Sequence, residues 1–118
     1  MSKVGFGRVW EDFAADYLLG LGFEIVGRNF YSRYGEIDII AKDGDELVFI
    51  EVKARSSKKF GVPYEAVTQN KLRSIKKTAD YFLLKNPLFE KSEVRIDVIS
   101  ISTDYYPPKV ELIKNATI

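Results

Sequence analysis

Three carboxylates and one lysine interrupt two apolar runs between residues 35 and 55. Glu36 and Asp38 stand in the first run, and Glu51 and Lys53 stand in the second. Carboxylate oxygens are hard ligands, and Mg²⁺ usually binds one or two of them together with phosphate and water. The residue types therefore indicate a divalent-cation site, provided that the chain folds so that these side chains meet.

The positions of these residues predict a β-hairpin. Residues 35–41 and 46–55 are rich in Ile, Val and other apolar residues, and residues 42–45 between them contain Asp43-Gly44. Asp-Gly between two such runs is a strong short-range signal for a hairpin with a two-residue loop. We therefore predict two antiparallel strands joined by a tight turn.

The register of this hairpin decides whether the carboxylates meet. If Asp43 and Gly44 form the loop, Glu36 faces Glu51. Asp38 is then the diagonal neighbour of Glu51, about 7–8 Å away at the backbone. Because side chains alternate between the two faces of a strand, three carboxylates and the lysine share one face. A cation would relieve the repulsion between these charges. The alternative is an ordinary hairpin with one solvated, charged face.

The overall composition excludes several kinds of chemistry. The chain of 118 residues contains no cysteine and no histidine. Without cysteine there are no disulfides, thiolate nucleophiles or Cys-ligated metals, and without histidine there are no His-dependent triads or usual zinc sites. Carboxylate and lysine chemistry remain. The formal net charge of +1 means that any affinity for nucleic acid must come from local patches.

Length and hydropathy indicate one soluble domain over residues 1–118. Hydrophobic residues make up 46% of the chain and charged residues 30%, which is typical of a globular protein. No segment approaches the roughly 18–20 apolar residues of a membrane span. Glu11, Asp12 and Asp16 interrupt the apolar positions near the N-terminus, so we expect no signal peptide and a cytoplasmic location.

A helix is predicted before the hairpin, over residues 5–20. Asp12 and Asp16 point away from its apolar arc, as solvated positions should. Glu11 lies at the edge of that arc, where it either looks across to the hairpin or pairs with Arg8 at the helix surface. The arc contains Val9, Trp10, Phe13, Ala14, Tyr17, Leu18 and Leu21.

Basic residues follow the hairpin in a loop at 54–61 and in a helix predicted from Pro63 to about Lys85. Neither basic group contains an intervening acid, which is typical of surfaces that contact phosphates. A merely solvated surface is the alternative for both. The residues are Arg55, Lys58 and Lys59 in the loop and Lys71, Arg73, Lys76 and Lys77 in the helix.

The predicted order of elements is a helix, three strands, a helix and one or two further strands, at 93–102 and 109–113. This order predicts an α/β (α+β) fold in which helices flank a mixed sheet. It resembles the αβββαβ core of the restriction-endonuclease-like nucleases, whose pattern is PD-(D/E)xK. Asp38, twelve further residues and then Glu51-Val52-Lys53 match that pattern without its leading proline.

Short sequence segments around this pattern resemble the YraN-like family over nearly the whole chain. That family is an uncharacterised group within the nuclease superfamily and has been compared with archaeal Holliday-junction resolvases. Trp10 departs from its pattern, because a glycine is expected before the glutamate. The matching segments are Gly22-Phe23, Arg28-Asn29, Gly35-Glu36-Ile37-Asp38, the run from Val48 to Arg55, Ala66-Val67-Thr68 with Lys71, and Arg95-Ile96-Asp97-Val98.

The resemblance implies metal-dependent hydrolysis of phosphodiester bonds. By this resemblance, Mg²⁺ or Mn²⁺ would be bound by Asp38, by Glu51 and by the carbonyl oxygen of Val52, with Glu11 as an additional ligand. The resemblance gives Lys53 the role of orienting the attacking water or stabilising charge on the phosphorus. The superfamily pattern assigns no clear role to Glu36 of the hairpin.

The resemblance also implies the partners. Nucleic acid is the expected substrate, with DNA favoured over RNA and branched or structured DNA as one form of it. Gln69 and Lys71, at the start of the basic helix, are expected near the scissile or a neighbouring phosphate. A homodimer, as in resolvases, would join two basic surfaces.

Two other functions are compatible with the sequence. A nucleic-acid-binding module can retain the nuclease fold without cleaving, and a structural protein can carry the hairpin charges as a solvated face. The intact Asp38, Glu51 and Lys53 favour cleavage over binding alone, because binding requires no metal ligands.

Overall fold

The computed structural model describes residues 3–56 and 68–116. Within these residues, none of the helices is long and apolar enough to cross a membrane. A short 3-10 turn at Pro87–Phe89 follows the second helix. The helices and strands are α1 (Lys3–Gly20), β1 (Glu24–Ser32), β2 (Gly35–Asp43), β3 (Glu46–Arg55), α2 (Gln69–Lys85), β4 (Glu93–Ser102) and β5 (Lys109–Ile113).

The five strands form one mixed sheet in the order β1-β2-β3-β4-β5. β3 and β4 are parallel, and the other neighbours are antiparallel. A parallel pair needs a crossover connection, and α2 lies in the chain between β3 and β4. The architecture confirms the predicted mixed α/β fold and its αβββαβ order. The bounds predicted for β4 and β5 are also confirmed.

A helix covers each face of the sheet. α1 packs with Ile39 and Ile50 in one core, and α2 packs with Ile40 and Phe49 in the other. Adjacent residues of β2 and β3 thus enter opposite cores, as the alternation of strand side chains requires. The two strands that carry the acidic residues therefore lie in the middle of a three-layer structure.

The apolar arc of α1 is narrower than predicted. Ala14, Ala15 and Leu18 are buried against the sheet, but Val9 and Leu21 are exposed. A helix that packs on a sheet buries only the stripe facing it, so residues at the edge of a broad arc stay in solvent. Leu21 also lies beyond the last helical residue.

The described part of α2 begins with a capped turn. The Thr68 side chain accepts a hydrogen bond from the Lys71 backbone N–H at 3.1 Å, which satisfies one of the free donors at a helix start. Pro63 lies outside the described residues, but Thr68 has an extended backbone with φ −83° and ψ 167°. The prediction of one continuous helix from Pro63 to about Lys85 is therefore wrong, and α2 begins at Gln69. The cap fixes the first turn of α2, from which Lys71 projects.

The hairpin register differs from the prediction by two positions. Asp43 pairs with Glu46, so Gly44 and Asp45 form the loop. Gly44 has a φ of 62°, and a glycine at the first loop position is typical of a type II′ hairpin. The predicted pairing of Glu36 with Glu51 is therefore wrong. Because an offset of two preserves the alternation of side chains, β3 keeps its predicted faces.

Candidate functional site

Three carboxylates from two elements form a cluster at one end of the central strands. Glu11, Glu36 and Asp38 each offer one oxygen, and these oxygens all lie within 4.8 Å of one another. Glu11 comes from α1, whereas Glu36 and Asp38 come from β2. We call these three residues the carboxylate cluster. The predicted hairpin put Glu36 and Asp38 on one face, whereas the family resemblance gave Glu36 no clear role; the structure places Glu36 in this cluster.

Two residues of β1 hold Glu11 in place. Arg28 Nη2 lies 3.7 Å from Glu11 Oε1 and 2.7 Å from Asp12 Oδ1. The Asn29 side chain hydrogen-bonds the Glu11 carboxylate. Asn29 has a φ of 54°, a left-handed conformation that asparagine tolerates better than most residues. Glu11 therefore faces the sheet, which is the first of the two orientations that the sequence left open.

Asp38 lies where the regular pattern of β2 is interrupted. Ile39 packs in the α1 core, but Ile37, two residues earlier, packs in the α2 core. The pairing of β2 with β3 ends at Ile39 and Ile50. Beyond that pair, the Val52 N–H donates to Asp38 Oδ2 at 2.8 Å. The Asp38 side chain thus replaces a backbone acceptor and is held against β3.

Glu51 of β3 adjoins the carboxylate cluster at Asp38, but it is not one of the three residues whose oxygens lie within 4.8 Å of one another. Its side chain is only 4% exposed, and its charge adds to that of Asp38. Two ammonium groups approach Glu51 Oε2, namely Lys53 Nζ at 3.7 Å and Lys71 Nζ at 3.5 Å. We call the carboxylate cluster together with Glu51 the acidic site. The hairpin and α1 supply its carboxylates, and Lys71 of α2 lies beside it.

Burial and mutual repulsion both disfavour the ionised form of the carboxylates in the acidic site. Burial and the neighbouring Glu51 charge together raise the pKa of Asp38 to about 7. Burial and the charge of Asp38 also raise the pKa of Glu11. The arrangement therefore favours uptake of a positive charge near neutral pH, either as a proton or as a cation.

The donors of the acidic site suit a hard divalent cation. All of them are carboxylate oxygens, the ligand type that Mg²⁺ and Mn²⁺ prefer. Ligands of octahedral Mg²⁺ lie at about 2.0–2.1 Å from the ion, so neighbouring ligand oxygens are about 3 Å apart and opposite ones about 4 Å. The 4.8 Å limit of the carboxylate cluster is close to this span. Small side-chain adjustments would bring it within range.

The predicted basic residues occupy different places. Lys71 lies beside the acidic site, with its Nζ 3.5 Å from Glu51 Oε2, whereas Arg73, Lys76 and Lys77 are exposed along α2. Arg73 is held by hydrogen bonds to Gln69 and Asn70 on the preceding turn. Arg55 is half-buried at the end of β3. Lys58 and Lys59 lie outside the described residues.

Arg95 and Asp97 belong to one of the sequence segments that match the family. They lie at the turn end of the hairpin, away from the acidic site. The buried Arg95 guanidinium donates to Asp97, to Asp43 and to Glu46 at 2.8–2.9 Å. Asp97 is fully buried and also accepts from the Asn115 N–H. The carboxylate of Asp97 raises the pKa of Arg95 further. This network ties the β2–β3 turn to β4 and serves the fold.

The fold and the acidic site together define a mixed α/β protein with a core of the restriction-endonuclease-like type. Residues 10–101 match the model of the Uncharacterised protein family UPF0102. The chain belongs to this family, which confirms the resemblance to YraN-like proteins.

Several relatives called UPF0102 protein match this chain over most of their length. That of Caldicellulosiruptor saccharolyticus is 41% identical over 118 residues, covering 98% of this chain and 99% of the relative. That of Caldicellulosiruptor bescii is 46% identical, covering 93% and 94%. That of Rhodococcus opacus is 44% identical, covering 97% of each chain. The similarity therefore extends from α1 through the whole sheet.

Proposed function

We propose that this protein is a metal-dependent nuclease that hydrolyses phosphodiester bonds in DNA, including branched or otherwise structured DNA. The observation that carries the proposal is the position of Asp38. It belongs to the carboxylate cluster, is fixed to the backbone of β3 and adjoins Glu51. Such convergence of buried carboxylates is costly unless a positive charge compensates it.

The acidic site would hold a Mg²⁺ or Mn²⁺ ion through Asp38, Glu51 and Glu11, with the Val52 carbonyl as a further ligand. Glu36 joins this set because its carboxylate lies in the same cluster. A bound ion supplies a Lewis acid that polarises the phosphoryl oxygen and lowers the pKa of the attacking water. The protein's own contribution is to fix the carboxylates before the substrate arrives.

The two lysines beside Glu51 would act on the phosphate. Lys53 Nζ lies 3.7 Å from Glu51 and would orient the attacking water or stabilise charge on the phosphorus. Lys71 Nζ, which the capped turn of α2 positions, would bind a phosphate oxygen. Arg73, Lys76 and Lys77 would extend this contact along the backbone of the nucleic acid.

A nucleic-acid-binding module without cleavage is the second candidate function. It is favoured by the ion pairs of the acidic site, because Lys53 and Lys71 both lie close to Glu51 and Arg28 lies close to Glu11. In that case the lysines would serve to neutralise the carboxylates. Binding of a divalent cation distinguishes the two functions, because only the nuclease needs it.

Titration calorimetry with Mg²⁺ and Mn²⁺, alone and with DNA present, is the direct test. The wild-type protein should bind a divalent cation, and Asp38→Asn and Glu51→Gln should lose that binding. Asp16→Asn is the matched control, because Asp16 is an exposed carboxylate of the same helix as Glu11. If the wild type binds no cation even with DNA, the second candidate function replaces the first.

Cleavage is measured on the same proteins with duplex, single-stranded and branched DNA. Asp38→Asn should abolish cleavage while its fold and DNA affinity are retained. Equal cleavage by pure wild-type and Asp38→Asn preparations would contradict the proposal, since the activity would then not depend on the acidic site.

A further inference from the structure

Two adjoining cavities form a groove between the β1–β2 turn and α2. One has a volume of about 380 Å³ and the other of about 300 Å³, and Tyr34 and Tyr81 line both of them. Tyr31 and Arg33 line the second cavity, and Lys77 lines the first. We call this feature, with its three tyrosines, the tyrosine groove.

The tyrosine groove exposes aromatic rings beside cations. Tyr31, Tyr34 and Tyr81 are 67%, 39% and 36% exposed. The Arg33 guanidinium carbon lies 5.0 Å from the centroid of the Tyr34 ring, and Lys77 Nζ lies 5.8 Å from it. Lys85 Nζ lies 5.5 Å from the Tyr81 ring. Among the described residues that line these two cavities, Asp80 is the one carboxylate.

The groove has a fixed wall. The hydroxyls of Ser32 and Thr78 are hydrogen-bonded at 3.1 Å, which ties the end of β1 to α2. The Ser74 hydroxyl, also on α2, donates to the Tyr34 carbonyl. These contacts hold the turn that carries Arg33 and Tyr34 against the helix, so the rings are positioned before any ligand binds.

Tyr31 connects the groove to the acidic site. Tyr31 pairs with Glu36 across β1 and β2, and the Glu36 carboxylate raises the pKa of Tyr31. Glu36 in turn belongs to the carboxylate cluster, and Tyr31 is one of the residues that line the second cavity. The groove thus begins one tyrosine side chain away from the proposed metal ligands.

We propose that the tyrosine groove binds unpaired bases of a single-stranded nucleic-acid segment that adjoins the phosphate at the acidic site, an inference that rests on the proposed nuclease function. Exposed aromatic rings combined with cations are the usual platform for single strands, because every base offers a flat face for stacking. Bases inside a duplex are stacked on one another and do not offer that face. The substrate would therefore carry a single-stranded stretch next to the cleaved bond.

Binding is measured by fluorescence anisotropy with a labelled single strand of about 12 nucleotides, within the usual site size of such platforms. A hairpin duplex of the same sequence serves for comparison. The protein carries Asp38→Asn throughout, so that cleavage does not interfere. Adding Tyr31→Ala or Tyr81→Ala should weaken single-strand binding by about 5- to 150-fold and change duplex binding much less.

Two further variants separate stacking from general damage. Tyr31→Phe keeps the ring and should restore most of the single-strand binding. Tyr105→Ala is the matched control: Tyr105 is a half-exposed tyrosine near β5, at the opposite edge of the sheet, and also carries a lysine over its ring. Its removal should leave binding unchanged. Far-ultraviolet circular dichroism and urea denaturation verify that each variant folds.

The inference is overturned if Tyr31→Ala and Tyr81→Ala both bind the single strand as tightly as their parent, or if the parent protein binds no single strand. It is also overturned if Tyr105→Ala weakens binding equally. These outcomes are separate from those of the nuclease proposal. Cleavage by the wild type with tyrosine-independent binding refutes the groove alone, whereas tyrosine-dependent binding without cleavage refutes the nuclease alone.

Discussion

Asp38 is hydrogen-bonded to the backbone of Val52, whose N–H donates to Asp38 Oδ2 at 2.8 Å. The regular ladder of the two strands has already ended at Ile39 and Ile50, so the aspartate continues the pairing with its side chain. This bond fixes the position of a carboxylate next to Glu51. Asparagine can accept the same hydrogen bond, so Asp38→Asn tests the charge of this residue with little change in shape.

The raised pKa of Asp38 makes the metal-free protein less stable as the pH rises. Below the unfolded pKa of 3.8 both states carry the proton, and between that value and about 7 only the folded state retains it. The stability from this proton is complete below the unfolded pKa and is lost as the pH approaches 7. The loss is on the order of 1.4 kcal/mol for each unit of pKa shift.

Urea denaturation of the wild type and Asp38→Asn at pH 5 and pH 8, with a chelator present, measures this effect. The wild type should lose a few kcal/mol relative to Asp38→Asn between the two pH values. A stability difference that does not change with pH would contradict the raised pKa. Because Asp38 and Glu51 interact, the measured transition belongs to the pair.

Glu36→Gln should weaken Mg²⁺ and Mn²⁺ binding by about 10- to 100-fold, the range seen when a group at a metal site is lost. The reason is that the Glu36 carboxylate lies in the same cluster as Glu11 and Asp38. Titration calorimetry gives the affinity. Glu24→Gln, an exposed glutamate of the same sheet, is the control. Unchanged affinity in Glu36→Gln would restrict the ligand set to the other carboxylates.

Arg95→Met should lower the free energy of unfolding by about 3–5 kcal/mol, because it leaves the fully buried Asp97 without its partner. Metal affinity should stay the same, since this network lies at the other end of the hairpin. Urea denaturation and calorimetry measure the two quantities. Lys114→Met is the control, because Lys114 is exposed and lies 4.0 Å from Asp43. A loss of less than 1 kcal/mol, on the order of a surface ion pair, would refute the structural role.

Lys71→Ala/Lys76→Ala should weaken DNA binding similarly for all sequences and should lower the slope of log affinity against log salt by about one for each lost phosphate contact. The salt series uses Asp38→Asn protein and fluorescence anisotropy. Lys91→Ala, an exposed lysine between α2 and β4, serves as the control. An unchanged slope in the double variant would remove this face of α2 from the interface.

The sequence was sufficient to predict the order of the helices and strands and the position of the central hairpin. Local sequence patterns were enough for this: apolar runs indicated the strands, and Asp-Gly indicated the turn. The predicted loop was one position off, because Gly44 takes the first loop position, but the two-residue offset kept Glu51 and Lys53 on their face. Predictions that rest on alternation are therefore insensitive to this kind of error.

The parts that could not be predicted depend on long-range contacts. Glu11 joins Glu36 and Asp38 because α1 brings it to the end of β2, and the local sequence carries no signal for that distance. The contact of Lys71 with Glu51 depends on the angle at which α2 crosses the sheet. The tyrosine groove arises between a turn and a helix separated by some forty residues, as the Ser74 hydrogen bond to Tyr34 shows.

The origin of Glu11 in a different element from Glu36 and Asp38 has a mechanical consequence. Without a cation, the negative charges of Glu11 on α1 and of Glu36 and Asp38 on β2 repel one another, which opposes the Arg28 ion pairs that tie α1 to β1. A cation bound between these carboxylates would attract all of them and would hold the helix against the sheet. Metal would then stiffen the N-terminal helix as well as complete the site, and the docking of α1 would follow the supply of metal.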